Sequence, residues 1–113
     1  VAAEAPFGVG KSAENLAVAV AGETFEVEEM YPVYMETAKL QGEKLAFSSF
    51  EWSYKSEKVH QKMYEEAQGL VEKGKDWRDS KLHICSTCGW TVEGEAPDTC
   101  PVCGAKKSSF KAF

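Results

Sequence analysis

Gly22-Glu23-Thr24-Phe25-Glu26 and Ser56-Glu57-Lys58-Val59-His60 decide how this chain folds. Glu23 and Glu26 stand three apart, as do Glu57 and His60, so each pair shares one face of a helix. Positions 23 and 60, and likewise 26 and 57, are symmetric about one point between Gln41 and Gly42. Leu40-Gln41-Gly42-Glu43 reads as a helix–helix turn, since glycine accepts the left-handed conformation that ends a helix. Two antiparallel helices folding back there bring Glu23 level with His60 and Glu26 level with Glu57. Three carboxylates and an imidazole then meet at one height. Such a cluster is half of a carboxylate-bridged dimetal site, which takes a Glu from each of two helices and Glu-x-x-His from each of two others.

The flanking residues support this hairpin. Ser12 is the expected N-cap of the first helix, with Glu14 favouring its positive end. Leu16, Ala19, Val20, Glu23, Glu26, Val27, Met30, Val33 and Tyr34 then follow helical spacing on one stripe that continues to Ala38. Pro32 removes the bond to the carbonyl of Glu28, so a kink or local irregularity is expected there rather than a stop. The second helix is expected from about residue 43 to about 73, with Gly74 as its C-cap. Its stripe is Phe47, Phe50, Tyr54, Glu57, His60, Tyr64, Ala67 and Val71. Both ligand pairs thus fall on apolar stripes, and neither stripe carries a lysine to pair with them. Burying unpartnered carboxylates costs several kcal/mol, so these stripes call for a cation.

Beyond a polar linker at 75–81 lies a second unit. Cys85-Ser86-Thr87-Cys88 and Cys100-Pro101-Val102-Cys103 are two C-x-x-C turns separated by eleven residues. Four such cysteines give tetrahedral thiolate ligation of zinc or of a single iron, and spacing does not distinguish the two. Gly89 and Gly104 follow the second cysteine of each pair, where they let backbone N–H groups turn toward sulfur. His83 and Trp90 read as strand and core residues because four thiolates already fill the shell. Phe110 and Phe113 are available to cover the small core.

The chain of 113 residues suits one modest domain or two small modules, with a composition ordinary for a soluble globular protein. A net charge of −5 without a basic cluster argues against a nucleic-acid partner. No apolar run approaches a membrane span, and the N-terminus lacks a signal-peptide pattern. All four cysteines are paired as ligands, which points to a reducing, cytoplasmic setting. Residues 1–11, with Pro6, Gly8 and Gly10, read as an arm or linker. A start at Val1 rather than Met fits a processed or truncated product.

Glu14-Asn15-Leu16, Gly22-Glu23-Thr24-Phe25-Glu26 leading to Met30-Tyr31-Pro32, Glu57-Lys58-Val59-His60 and the two cysteine knuckles, in that order, closely resemble the rubrerythrin family. The resemblance spans about residues 12–113. It implies a mainly α chain with a small metal-bound β module: residues 12–74 as half of a ferritin-like diiron bundle, and 82–113 as a rubredoxin-like Cys₄ domain. Glu23, Glu26, Glu57 and His60 match iron-ligand positions, and Tyr31 matches a tyrosine beside those carboxylates. The implied activity is reduction of hydrogen peroxide, with electrons from a donor protein or reductase entering through the Cys₄ iron. Family members carry two further upstream helices, which residues 1–11 cannot replace. Either this chain is the C-terminal part of a longer protein, or two chains assemble one bundle as a homodimer. A zinc-ribbon assembly module and an iron-sequestering protein without peroxide turnover are the competing readings.

Overall fold

The structure, a computed structural model, describes residues 10–77 and 80–113. Most of the expected 1–11 arm and two linker positions lie outside the described residues. The chain forms an antiparallel helical hairpin followed by a small three-stranded sheet. The first arm comprises α1 (Ser12–Phe25), a π-helical turn (Glu26–Met30) and α2 (Tyr31–Leu40); the second is the single helix α3 (Lys44–Glu72).

Ser12 does not cap α1; it is the first helical residue, and Lys11 precedes it. The free N–H groups find local acceptors instead. Lys11 N–H donates to Glu14 Oε2 at 2.8 Å, and Gly10 N–H to Asn15 Oδ1 at 2.9 Å. Between the arms, Glu43 N–H reaches back to Ala38 O at 2.8 Å while Gly42 sits at φ +71°, which closes the helix in a Schellman turn. Gly74, at φ +68°, ends α3 in the same way, with Lys75 N–H bonded to Leu70 O at 2.9 Å.

The irregularity expected near Pro32 lies one turn earlier, and it shifts the stripe. Proline is accommodated in the first turn of α2, where its missing N–H costs nothing. The preceding turn widens so that Tyr31 N–H bonds to Glu26 O, five residues back. An extra residue in one turn moves every later side chain round by one position. Val33, expected on the inward stripe, is 60% exposed, and Tyr34 is 43% exposed though its ring still meets Phe50 of α3 at 5.4 Å; Tyr31 and Met35 turn inward, and Ala38 is buried as expected.

The second unit pairs β1 (Leu82–Cys85) antiparallel with both β2 (Thr91–Glu93) and β3 (Phe110–Ala112), in the order β2-β1-β3. Trp90 packs edge-on against Phe110, with ring centroids 6.1 Å apart. Phe113, expected to cover the core, is 72% exposed and contributes only its backbone, which pairs with Leu82. His83 is a strand residue, as expected, and bonds through Nδ1 to Gly94 O.

Candidate metal centres

The two cysteine turns are built alike. Gly89 N–H donates to Cys85 O at 2.9 Å and Gly104 N–H to Cys100 O at 3.0 Å; both glycines have positive φ, +80° and +77°. Cys85 N–H bonds to Trp90 O, and Cys100 N–H to Ala105 O. This equivalence brings the four sulfurs together, with Cys85–Cys103 and Cys88–Cys100 both 3.7 Å apart. Four sulfurs at ~2.3 Å from a tetrahedral ion stand about 3.8 Å from one another, so the donor set fits zinc or iron as it stands. The thiols also show why a cation is needed. Burial opposes ionisation of Cys85, yet the backbone N–H groups of Thr87 and Cys88 and the neighbouring thiols bring it down to about 7. Burial pushes Cys88 up to about 12, with Cys103, Cys100 and Cys85 adding to the cost. The first thiolate forms readily; further ones need a positive charge among them.

In the hairpin, Glu23 from α1 meets Glu57 and His60 from α3, with one donor atom of each lying within 4.8 Å of the others. His60 Nδ1 is 2.6 Å from Glu57 Oε2 and 3.9 Å from Glu23 Oε1. Gln61 Nε2 donates to Thr24 Oγ1 at 2.9 Å and ties α3 to α1 beside the cluster. Glu26 stands outside this group. It is the first residue of the π-helical turn, half-buried and near enough for Glu57 and His60 to act on its charge. Tyr31 follows that turn, with its hydroxyl beside Ser53 and in the field of Glu57, Glu26 and Glu23. Burial and these carboxylates raise its pKa, so it keeps its proton at neutral pH.

The ionisable groups of this cluster shift one another. Burial, then the hydrogen bond and charge of Glu57, raise Glu23 to about 7. The hydrogen bond from His60 lowers Glu57, and its counterpart raises His60. Glu23 Oε2 is buried without any hydrogen-bond partner. An orphaned buried carboxylate oxygen is costly, and a divalent ion between Glu23, Glu57 and Nδ1 would satisfy it. These donors, two oxygens and one imidazole nitrogen, suit iron or manganese.

The sequence reading missed the contact between the two units. Ser56, 1% exposed, lies with its hydroxyl 2.9 Å from Cys88 O, and His60 Nε2 lies 3.0 Å from Gly89 O and 3.0 Å from Thr91 Oγ1. The only signal was that Ser56 and His60 stand four apart, on one helix face.

A family model described as rubrerythrin matches residues 1–68, and one described as its rubredoxin-like domain matches 83–111. The chain is 42% identical to Rubrerythrin-2 of Clostridium acetobutylicum, covering 100% of this chain and 61% of that protein. It is 31% identical to nigerythrin of Nitratidesulfovibrio vulgaris, covering 88% and 48%. Solved structures of nigerythrin in a mixed-valence and a fully reduced, all-ferrous state superpose with a TM-score of 0.82 at 29% identity. They cover 94% of this chain and about half of theirs. The chain thus spans roughly half to three-fifths of the length of these relatives.

Proposed function

The chain belongs to the rubrerythrin family of iron proteins, and from that premise we propose that it reduces hydrogen peroxide to water at a carboxylate-bridged iron centre in the bundle. One observation carries the reading: Glu23, Glu57 and His60 converge, and one buried oxygen of Glu23 has no hydrogen-bond partner. Glu23, Glu57 and His60 would hold the iron, which when bound would supply the two electrons that, with two protons, take each peroxide to two waters.

The chain's own residues have distinct parts in this scheme. Glu23, Glu57 and His60 would bind metal, and Glu26 is a further carboxylate on whose charge Glu57 and His60 act. Tyr31 holds a proton on its hydroxyl beside the carboxylates. Cys85, Cys88, Cys100 and Cys103 bind a single iron, a shell that changes oxidation state without rearranging. A donor protein or reductase delivers electrons to that site, and the paired thiols fit a cytoplasmic setting.

Assembly follows from cover. Val33, Leu40 and Leu45 are 60%, 87% and 88% exposed, and two helices do not bury an apolar face alone. A second copy of the hairpin, or a chain supplying two more helices, completes the bundle and its ligand set.

Two variants separate the centres. Chemically reduced Cys88→Ser should still consume one charge of peroxide in a single turnover, while sustained turnover from a protein reductase collapses. Glu57→Ala should do the reverse, keeping a reducible Cys₄ iron and losing the peroxide step. Stopped-flow absorbance reads both, and Glu57→Ala reducing peroxide at the parent rate would make this reading wrong.

A further inference from the structure

The contact between the hairpin and the cysteine module is one-sided. The two cysteine turns are equivalent in their own hydrogen bonds, yet only the first is bonded to the hairpin among the described residues. Ser56 and His60, one turn apart on α3, reach the carbonyl oxygens of Cys88 and Gly89 at 2.9 and 3.0 Å. Thr91 completes the contact: its hydroxyl donates to Gly89 O at 3.0 Å while its oxygen lies 3.0 Å from His60 Nε2.

A carbonyl oxygen can only accept, so Nε2 must carry a proton. Nδ1 is then the nitrogen whose lone pair is available to a cation, and Nδ1 is the atom that faces Glu57 and Glu23. Nδ1 lies 2.6 Å from Glu57 Oε2, where the two atoms can take one cation together. A cation bound there leaves the proton on Nε2 in place, donated to Gly89 O. Gly89 directly follows the ligand Cys88, so its carbonyl is presented to His60 by the same hydrogen-bonded turn that carries that sulfur.

We propose that Ser56, Gly89 and Thr91 form a latch that holds His60 as its Nε2–H tautomer, with Nδ1 left for a cation, and so strengthens metal binding in the bundle. The inference rests on the reading of Glu23, Glu57 and His60 as a metal site. Ser56 and Thr91 are positioning residues, and neither touches the bundle metal.

The test uses the full chain with zinc in the cysteine site, titrated with Mn(II), which prefers oxygen and imidazole donors to thiolates. Unbound Mn(II) is read by electron paramagnetic resonance. Ser56→Ala/Thr91→Val should bind about tenfold more weakly than the parent, the scale expected on losing a ligand's hydrogen-bond partners. Thr91→Ser, which keeps the hydroxyl, should bind like the parent. A long-range ¹H–¹⁵N correlation above the titration of His60 should show Nε2 protonated in the parent and a tautomer mixture in the double variant. Co(II) in the cysteine site reports folding of the module through its tetrathiolate absorption. If the double variant loses that absorption, Thr91→Val alone, which leaves Ser56 seated, takes its place. Parental affinity with an unchanged tautomer overturns the latch, and so does a Thr91→Ser loss as large as that of the valine variant. A parent that binds no Mn(II), or Glu57→Ala binding it as tightly, overturns the metal-site reading and the latch with it.

Discussion

Every donor of the cysteine centre lies between Cys85 and Cys103, whereas the bundle cluster draws on residues from Glu23 to Glu57 and His60, about twice the span. Doubling a closed loop costs only about 0.6 kcal/mol, so chain length does not separate the two. What separates them is completeness. The cysteine turns supply four equivalent donors and their own backbone hydrogen bonds, and the sulfurs already stand at the spacing of a filled shell. The hairpin supplies three donors, leaves Glu23 Oε2 unpaired and keeps Leu40 and Leu45 in solvent. A metal site can therefore be specified locally when the chain holds the whole shell. When it holds half, the remainder is specified by whatever covers the apolar face.

The largest effect expected from this contrast is on metal removal. Tetrathiolate binding is worth ~10 kcal/mol or more to a small module, which has little other core to fold on. A strong chelator should collapse the amide dispersion of residues 82–113 in NMR spectra. The far-UV helical signal of the hairpin should persist. Loss of both signals together would mean that the hairpin leans on the module far more than its few contacts imply.

Next in size is assembly. Val33→Glu places a charge on the exposed face, where covering a valine contributes about 1.5 kcal/mol or more. Dissociation on sedimentation should shift by at least about tenfold, with the absorbance of the cysteine centre unchanged. A parent that sediments as a folded, iron-loaded monomer would remove the contrast altogether.

A pH series sharpens the comparison further. Glu23 titrates at about 7 in the folded chain against an ordinary 4.5, and His60 is likewise raised. Each holds a proton that the unfolded chain releases first, so stability contributed below their ordinary values is lost as pH rises through the folded ones. With zinc only in the cysteine site, the melting temperature of the hairpin should fall between pH 5 and pH 8. Mn(II) in the bundle should flatten that fall.

The smallest effect belongs to a glycine outside both centres. Gly74→Ala forces a side chain into φ +68° with open space around it. The cost should be about 1 kcal/mol in denaturant unfolding, with metal content unaltered.

The sequence made the hairpin, its pivot at Gly42 and the cysteine quartet legible because each is written in short-range spacing. Helical offsets of three and four, paired C-x-x-C turns and a glycine at a helix end are all local patterns. The phase of α2 was not legible. The widened turn before Pro32 brings Tyr31 and Met35 inward and leaves Val33 exposed, so periodicity extrapolated across it holds at Ala38 and misplaces Val33. Nor was the contact of Ser56 and His60 with the first cysteine turn, since it depends on how two separately folded units meet. Ser86 and Ser56 look equally ordinary in the sequence; only docking buries one of them.

The π-helical turn at Glu26–Met30 also bears on how this stretch can change length. Within a regular α-helix, inserting or deleting one residue rotates everything downstream by about 100° and ruins the packing of one flank. Here the surplus residue is already absorbed in one wide loop of backbone. Removing a single residue between Val27 and Met30 would close that loop to an ordinary turn while α1 and α2 keep their faces toward α3. The hairpin therefore has one place where a one-residue gap is structurally mild, and it lies beside its candidate ligands. Among homologous chains, a gap there would change the local aim of Glu26 and leave Glu23, Glu57 and His60 where they are.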